Sequence, residues 1–264
     1  MHDKAQFGVD NDGSQEAGAP FDSLTQFRSA GAGQMQLSES VASHLRELII
    51  SGKIKQGEFL RIDAIAKELN VSTTPVREGL LLLQSESFVR LMPRRGFVVN
   101  SFSKQDLVDL FWAQATFGAE LAARAAVQMS KSDLKLLEKI QAEHERVAAS
   151  NNQAPTARLG HQFHRTINLA AQSPRLALLL GRLTKQLPNR FYVSIEGQLQ
   201  GAVEYHPMII EAIRVKDANA VRSLMYDHII SGAEHLIAML ERQGMWVDSA
   251  QESAPKGRAS VSRV

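Results

Sequence analysis

The 264-residue chain contains no cysteine, which excludes disulfides and thiolate metal sites and is compatible with a reducing compartment without requiring one. No apolar run approaches the eighteen or more residues that a membrane span needs. No basic-then-apolar signal sequence opens the chain, so neither export nor membrane insertion is expected and the protein reads as cytoplasmic. An excess of one charge is also missing: 30 Lys and Arg against 28 Asp and Glu leave a formal net charge of +2. Bulk charge therefore announces no nucleic-acid partner, and any such role must come from local placement of charge. Repeats of fixed period are absent too. What remains is an ordinary soluble composition, 44% hydrophobic and 22% charged, in a chain long enough for two domains.

Residues 1–36 are rich in Gly, Ala, Ser, Gln and Asp without a sustained period, and are expected to be disordered. The same holds for residues 249–264, whose basic tail carries Lys256, Arg258 and Arg263. Between these ends lie two regions of different character.

Residues 37–100 open with an amphipathic helix over Ser38–Ser51 that buries Val41, Leu45, Leu48 and Ile49. Gly52 ends it, at a position that commonly needs a left-handed residue. A Lys53–Glu58 turn containing Gly57 follows, then a short helix with Ile62, Ile65, Ala66 and Leu69 as its apolar face. The polar turn from Val71 leads into a further helix. Ser72 suits its cap and Pro75 its first turn, where a missing N–H needs no partner. That helix buries Val76, Leu80 and Leu83 and turns Thr73, Thr74, Arg77 and Gln84 outward. Phe88–Leu91 and Gly96–Val99 then alternate as two strands, joined by the basic turn Met92-Pro93-Arg94-Arg95. Three helices followed by an arginine-tipped, two-stranded wing make a winged helix-turn-helix, whose recognition helix enters the DNA major groove N-terminal end first. Net charge does not carry this reading, since residues 37–100 hold nine Lys or Arg against seven Asp or Glu. The order of the motifs carries it.

From Ser103 to Gly244 strand signals vanish. Six helical stretches are expected: Ser103–Met129, Lys131–Ser150, Pro155–Ala171, Pro174–Glu196, Leu199–Val215 and Asp217–Gln243. Ser103 and Ser132 suit caps, and Pro174 and Asp217 suit first-turn positions. Residues 103–244 are thus an all-helical bundle with short connections, and the fold class is mostly α. His164, His206 and His228 lie on three of these helices, each beside inward-turning apolar neighbours. Three imidazoles converging in a bundle core offer a site for zinc, nickel or a similar divalent ion.

The motifs Leu45-Arg46-Glu47-Leu48, Ile65-Ala66-Lys67-Glu68-Leu69, Ser72-x-Thr74-Pro75-Val76-Arg77-Glu78-Gly79-Leu80 and Arg94-Arg95-Gly96-Phe97-Val98 resemble the DNA-binding domain of the GntR family of bacterial regulators. Phe163-His164, Glu204-Tyr205-His206, Ile209-x-x-Ala212-Ile213, Asp217-Ala218 and Met225-x-x-His228-Ile229 resemble the FCD-type domain of its FadR-like branch, with the length of the shorter, VanR-like type. The resemblance implies a homodimer that binds a double-stranded DNA operator and answers to a small-molecule effector. Arg77 is then the candidate for a guanine edge, while Ser72, Thr74 and Arg46 would position phosphates. Arg94 and Arg95 would approach the minor groove from the wing, with Gly96 permitting its turn. Thr73 stands where the family usually has arginine, so base preference should differ from relatives.

The resemblance also makes His164, His206 and His228 metal ligands, normally completed by a carboxylate four residues before the first. Here that residue is Gly160. Three readings stay open: a three-histidine metal site with water or effector in the gaps, substitution by His161, or a metal-free pocket whose histidines hold an anionic effector directly. Where the family commonly shows an arginine and, four residues later, a glutamate, this chain has Gln114 and Gly118. Gln114, His161 and Arg190 are candidate effector contacts, and Arg175 and Arg182 alternative sources of positive charge. The leading function is an effector-controlled transcription regulator rather than an enzyme. The alternatives are a metal-dependent enzyme, for which Glu204 and Glu211 are poor general bases, and a metal sensor.

Overall fold

The computed structural model describes residues 34–149, 153–188, 191–192, 195 and 200–246. The segments expected to be disordered lie outside this range, apart from residues 34–36, which are already helical. Helix α1 (Gln34–Ile50) buries Val41, Leu45, Leu48 and Ile49, and Gly52 behind it takes φ 71°. A two-residue strand, β1 (Phe59–Leu60), precedes α2 (Ile62–Leu69), which ends at Asn70 in the left-handed conformation with φ 53°. Helix α3 (Thr73–Ser85) buries Val76, Leu80 and Leu83 completely. It crosses α1 at close range. A Cβ on Gly79 would lie 3.0 Å from the Ser38 carbonyl oxygen and 3.1 Å from Val41 Cγ1, so any side chain here would push α1 and α3 apart by a few tenths of an ångström. At the same crossing the buried Ser38 hydroxyl donates to the Glu78 carboxylate.

Strands β2 (Val89–Met92) and β3 (Gly96–Val99) pair antiparallel with Leu91 opposite Phe97, and β1 adds to the far side of β3 with Leu60 opposite Phe97. The wing therefore belongs to a three-stranded sheet of order β1-β3-β2. A run of two residues is too short for alternation to announce it.

The helical part comprises α4 (Lys104–Gln128), α5 (Lys131–Ala148), α6 (Gln153–Ala170), α7 (Pro174–Thr184), α8 (Gln200–Arg214) and α9 (Ala218–Arg242). Ser103 caps α4 in a reciprocal capping box with Asp106. Ser130, not Ser132, caps α5, its hydroxyl accepting from the Asp133 N–H at 3.1 Å. Asp217 is itself the cap of α9, accepting from the N–H groups of Asn219 and Ala220. Helix α7 stops well short of Glu196. Its last turn tightens through Gln186 N–H to Leu183 and Leu187 N–H to Thr184, and Pro188, which lacks an N–H, follows; Phe191, Tyr192 and Ile195 are helical again.

Helix α4 packs along α9, and α5 lies against α6 and α8. One apolar core sits inside this bundle around Leu121, Leu137, Phe163, Ile167, Ile209 and Met225. A second runs without interruption from α1 and α3 into the bundle, where it includes Leu107, Phe111, Leu236 and Leu240. At about 1.5–3 kcal/mol for each fully buried large side chain, this shared core joins the two parts firmly. The Phe88 and Phe102 rings stack across the joint with centroids 5.4 Å apart, and the Trp246 indole donates to the Phe102 carbonyl at 3.3 Å.

Candidate functional site

The N-terminal end of α3 presents Ser72, Thr73, Thr74 and Arg77 to solvent, because its opposite face is spent on the core. Ser72 occupies the cap position but makes no side-chain cap bond, which leaves its hydroxyl available. Arg94 and Arg95 are exposed at the wing tip. Arg94 itself adopts φ 62° and Gly96 φ 94°, so the turn uses two left-handed residues where the sequence suggested one. Arg46 departs from expectation. Its side chain is 6% exposed, and its guanidinium bonds one carboxylate oxygen of Glu86 through Nε at 2.9 Å and Nη2 at 2.6 Å and lies 5.8 Å from the Phe88 ring centroid. Helical spacing on α1 could not distinguish this inward position from a phosphate-facing one.

The three histidines of the bundle do converge. His164 comes from α6, His206 from α8 and His228 from α9, and one ring nitrogen of each lies within 4.8 Å of the others. His206 Nε2 is 3.3 Å from His228 Nε2, which is 3.2 Å from His164 Nε2. His206 Nδ1 is 2.8 Å from Gln141 Oε1, so the N–H sits on Nδ1 and the Nε2 lone pair faces its neighbours. The Phe163 ring stacks on His206 at 3.8 Å and holds its plane.

Burial pushes the His206 pKa well below the ordinary histidine value, with His228, His164 and His144 adding to the effect. Burial likewise brings His228 down to about 4, with a further contribution from His144. These are neutral imidazoles, the form that ligates metal. One N–H on His228 Nε2 cannot satisfy both facing nitrogens, whereas a single ion would engage all three lone pairs. Ligand nitrogens about 2.1 Å from zinc in a tetrahedral array stand roughly 3.4 Å apart, close to the observed contacts. The donor set therefore fits a divalent ion with at least one open position. Among the described residues no carboxylate joins the three, and Gly160 is buried one turn before His164.

A cavity of about 710 Å³ opens from this cluster. His164, His228, Gln114, Gly118 and Tyr192 line its inner part, and Glu39, Ser43 and Arg46 of α1 line the other side. His161 also lines it, edge-on to the Tyr192 ring at 5.7 Å, but it is not one of the three clustered histidines. Arg175 and Arg182 are exposed and do not line the cavity, and Arg190 lies outside the described residues.

Sequence reasoning missed two buried polar residues, Gln141 and His144 on α5. The His144 ring is 5.7 Å from that of His206. The signal was present: Leu137, Gln141, His144 and Ala148 recur at helical spacing on the face that turns inward.

Comparison with known proteins bears on both parts. Residues 37–99 match the family described as bacterial regulatory proteins, gntR family, and residues 109–231 match the FCD domain. A gluconate operon transcriptional repressor of Bacillus licheniformis is 28% identical over 200 residues, covering 71% of this chain and 80% of the relative. The Exu regulon transcriptional regulator of Escherichia coli K12 is 26% identical over 215 residues, covering 74% and 82%. Among solved structures, E. coli McbR/YncC superposes with a TM-score of 0.56 at 22% identity, covering 79% of this chain and 98% of its own, a likeness of fold.

Proposed function

This chain belongs to the GntR family of bacterial regulatory proteins and carries an FCD domain, so it is a DNA-binding transcriptional regulator with an effector domain, and we propose how its parts divide that work. Residues 37–100 read the operator. Arg77 engages a base edge, Ser72, Thr73 and Thr74 fix the helix on the backbone, and Arg94 and Arg95 follow the adjacent minor groove. Arg46 is left out of this set because its guanidinium is committed to Glu86. The working unit is a cytoplasmic homodimer, which sets two recognition helices about 34 Å apart on a pseudo-palindrome. No described helix is long and apolar enough to cross a membrane.

Residues 103–244 hold the effector. His164, His206 and His228 would bind zinc or nickel, which would supply a positive centre for an effector oxygen at the position left open by Gly160. The observation that carries this reading is the cavity with two clustered histidines on one wall and α1 of the DNA-reading part on another. Occupancy there would change the packing of α1 and so the operator affinity, which is a coupling between two distinct sites.

Elemental mass spectrometry on untagged protein purified without chelator tests the metal. Near-stoichiometric zinc or nickel in the wild type, lost in His206→Ala, is the expected result. Equal metal content in both would remove His206 from the site. Operator binding by both proteins, with effector response only in the wild type, is expected from gel-shift titrations.

A further inference from the structure

We propose that the cavity takes an uncharged, largely apolar organic effector, anchored by an oxygen that accepts a hydrogen bond from the side-chain amide of Gln114. This rests on the reading of the cavity as the effector site and adds the chemical class of what enters it.

Gln114 on α4 is 3% exposed and faces the cavity. Its Oε1 lies 3.0 Å from the Tyr192 hydroxyl, which is also 3.1 Å from the Thr184 carbonyl oxygen. The Nε2 group is buried and has no hydrogen-bond partner. The phenol carries a single hydrogen and cannot serve both acceptors well. Given to Thr184, it frees the phenol oxygen to accept from a turned-over amide, yet that uses only one of two N–H bonds. In either orientation of the amide a buried donor is left over, pointing to a missing acceptor. Burial also pushes the Tyr192 phenol upward, so it stays a neutral donor beside the amide.

The charge on the walls decides between a neutral oxygen and a carboxylate. Among the described residues the cations lining the cavity are Arg46, Arg165 and Lys185. Arg46 is paired with Glu86 at 2.6 Å and Lys185 with Glu39 at 3.2 Å, both against α1, while Arg165 is exposed. The apolar part of the wall is Phe111, Leu180, Met225 and Ile229, the last three of which face Gly118, one turn along α4 from Gln114. In the metal-free cavity a carboxylate pressed against this wall would lose its hydration with only the exposed Arg165 as an uncommitted side-chain cation, whereas a carbonyl, ether or hydroxyl oxygen loses little and gains the amide N–H. A volume of about 710 Å³ accommodates a drug-sized molecule.

Matched probes separate the alternatives: naphthalene-2-carboxamide against 2-naphthoate, and decanamide against decanoate. Binding to the full-length chain is measured by calorimetric titration after dialysis against EDTA, so that no histidine-bound ion attracts the acids. The amides should bind about tenfold or more tightly than their acids, and Gln114→Met should weaken the amides by roughly tenfold. Should the methionine variant fail to fold, the near-isosteric Gln114→Glu replaces the donor with an acceptor and should lose the amides as well. Gly181→Phe provides the cavity control, since a Cβ at Gly181 meets nothing within 4 Å and the position lines the cavity. Acids that bind as well as amides, and are lost in Gly181→Phe, would overturn the neutral class while leaving the effector site in place. Absence of all binding, or binding indifferent to Gly181→Phe, would overturn both.

Discussion

Replacing Arg46 with methionine separates two roles that sequence alone leaves superimposed. Arg46 is 6% exposed and its partner Glu86 18%, so the variant strands a mostly buried carboxylate that accepts two hydrogen bonds in the wild type. Removing one member of a buried pair costs about 3–5 kcal/mol, and the partial exposure of Glu86 argues for the lower end, about 3. For a protein of this size that corresponds to a fall of roughly 6–12 °C in melting temperature. The pH dependence has a definite sign. Burial already raises the Glu86 pKa and Arg46 pulls it back, so without Arg46 the folded value rises further above the unfolded one. A raised carboxyl pKa destabilises at neutral pH and is relieved as pH falls, when the folded state takes up its proton. The gap between variant and wild type should therefore narrow from pH 7 to pH 5, and Glu86→Gln added to Arg46→Met should recover most of the loss. Thermal melts across that range supply the measurement, with operator titrations at several salt concentrations beside them. A variant of unchanged melting temperature whose salt slope drops by about one would refute the reasoning and return Arg46 to the phosphates.

Three further outcomes are expected. Arg77→Ala should cost about 1–3 kcal/mol of operator affinity at one base position; equal selectivity across single-base operator variants would count against that contact. Gly160→Asp should raise zinc affinity in a competition titration, because it adds a carboxylate one turn before His164; unchanged affinity would mean that residue 160 does not face the ion. The metal-free protein should lose stability in mild acid, because His228 is held down to about 4 in the fold while the unfolded chain protonates near 6.5. Its contribution is full above pH 6.5 and has fallen by about 2 kcal/mol at pH 5, so denaturant midpoints that match at pH 7.5 and pH 5 would contradict the neutral cluster.

Much of this architecture is written in short-range chemistry that one chain displays. Val76, Leu80 and Leu83 repeat at helical spacing and are fully buried, and Ser103 with Asp106 forms the box its spacing allows. The limits have equally local causes. Ser130 and Ser132 are both competent caps, and which one closes α5 depends on where the preceding helix lets the chain turn. The apolar period of α7 runs past Thr184, and only Pro188 hints that the helix has ended. His164, His206 and His228 stood out through their motifs, whereas Gln141 and His144 needed the period of α5 to be read with polar residues counted as inward. The pairing of Arg46 with Glu86 was not legible because a charged residue at the edge of an amphipathic face reads the same whether its partner is a phosphate or a glutamate on another helix. That choice is made by tertiary packing.

The core that passes from α1 and α3 into α4 and α9, with Phe88 stacked on Phe102 at its joint, also bears on how this regulator can be taken apart. A reader cut off after Asn100 would carry a raw apolar face where Leu107, Phe111, Leu236 and Leu240 had been. Grafting that reader onto a foreign sensor would require a matching face on the recipient. Amide protons of α1 and α9 should exchange in one cooperative opening, and a protease should find no early cut between Ser101 and Ser103. For anyone building sensors from such parts, the unit of exchange is the whole chain or the wall of its cavity, and not the reader alone.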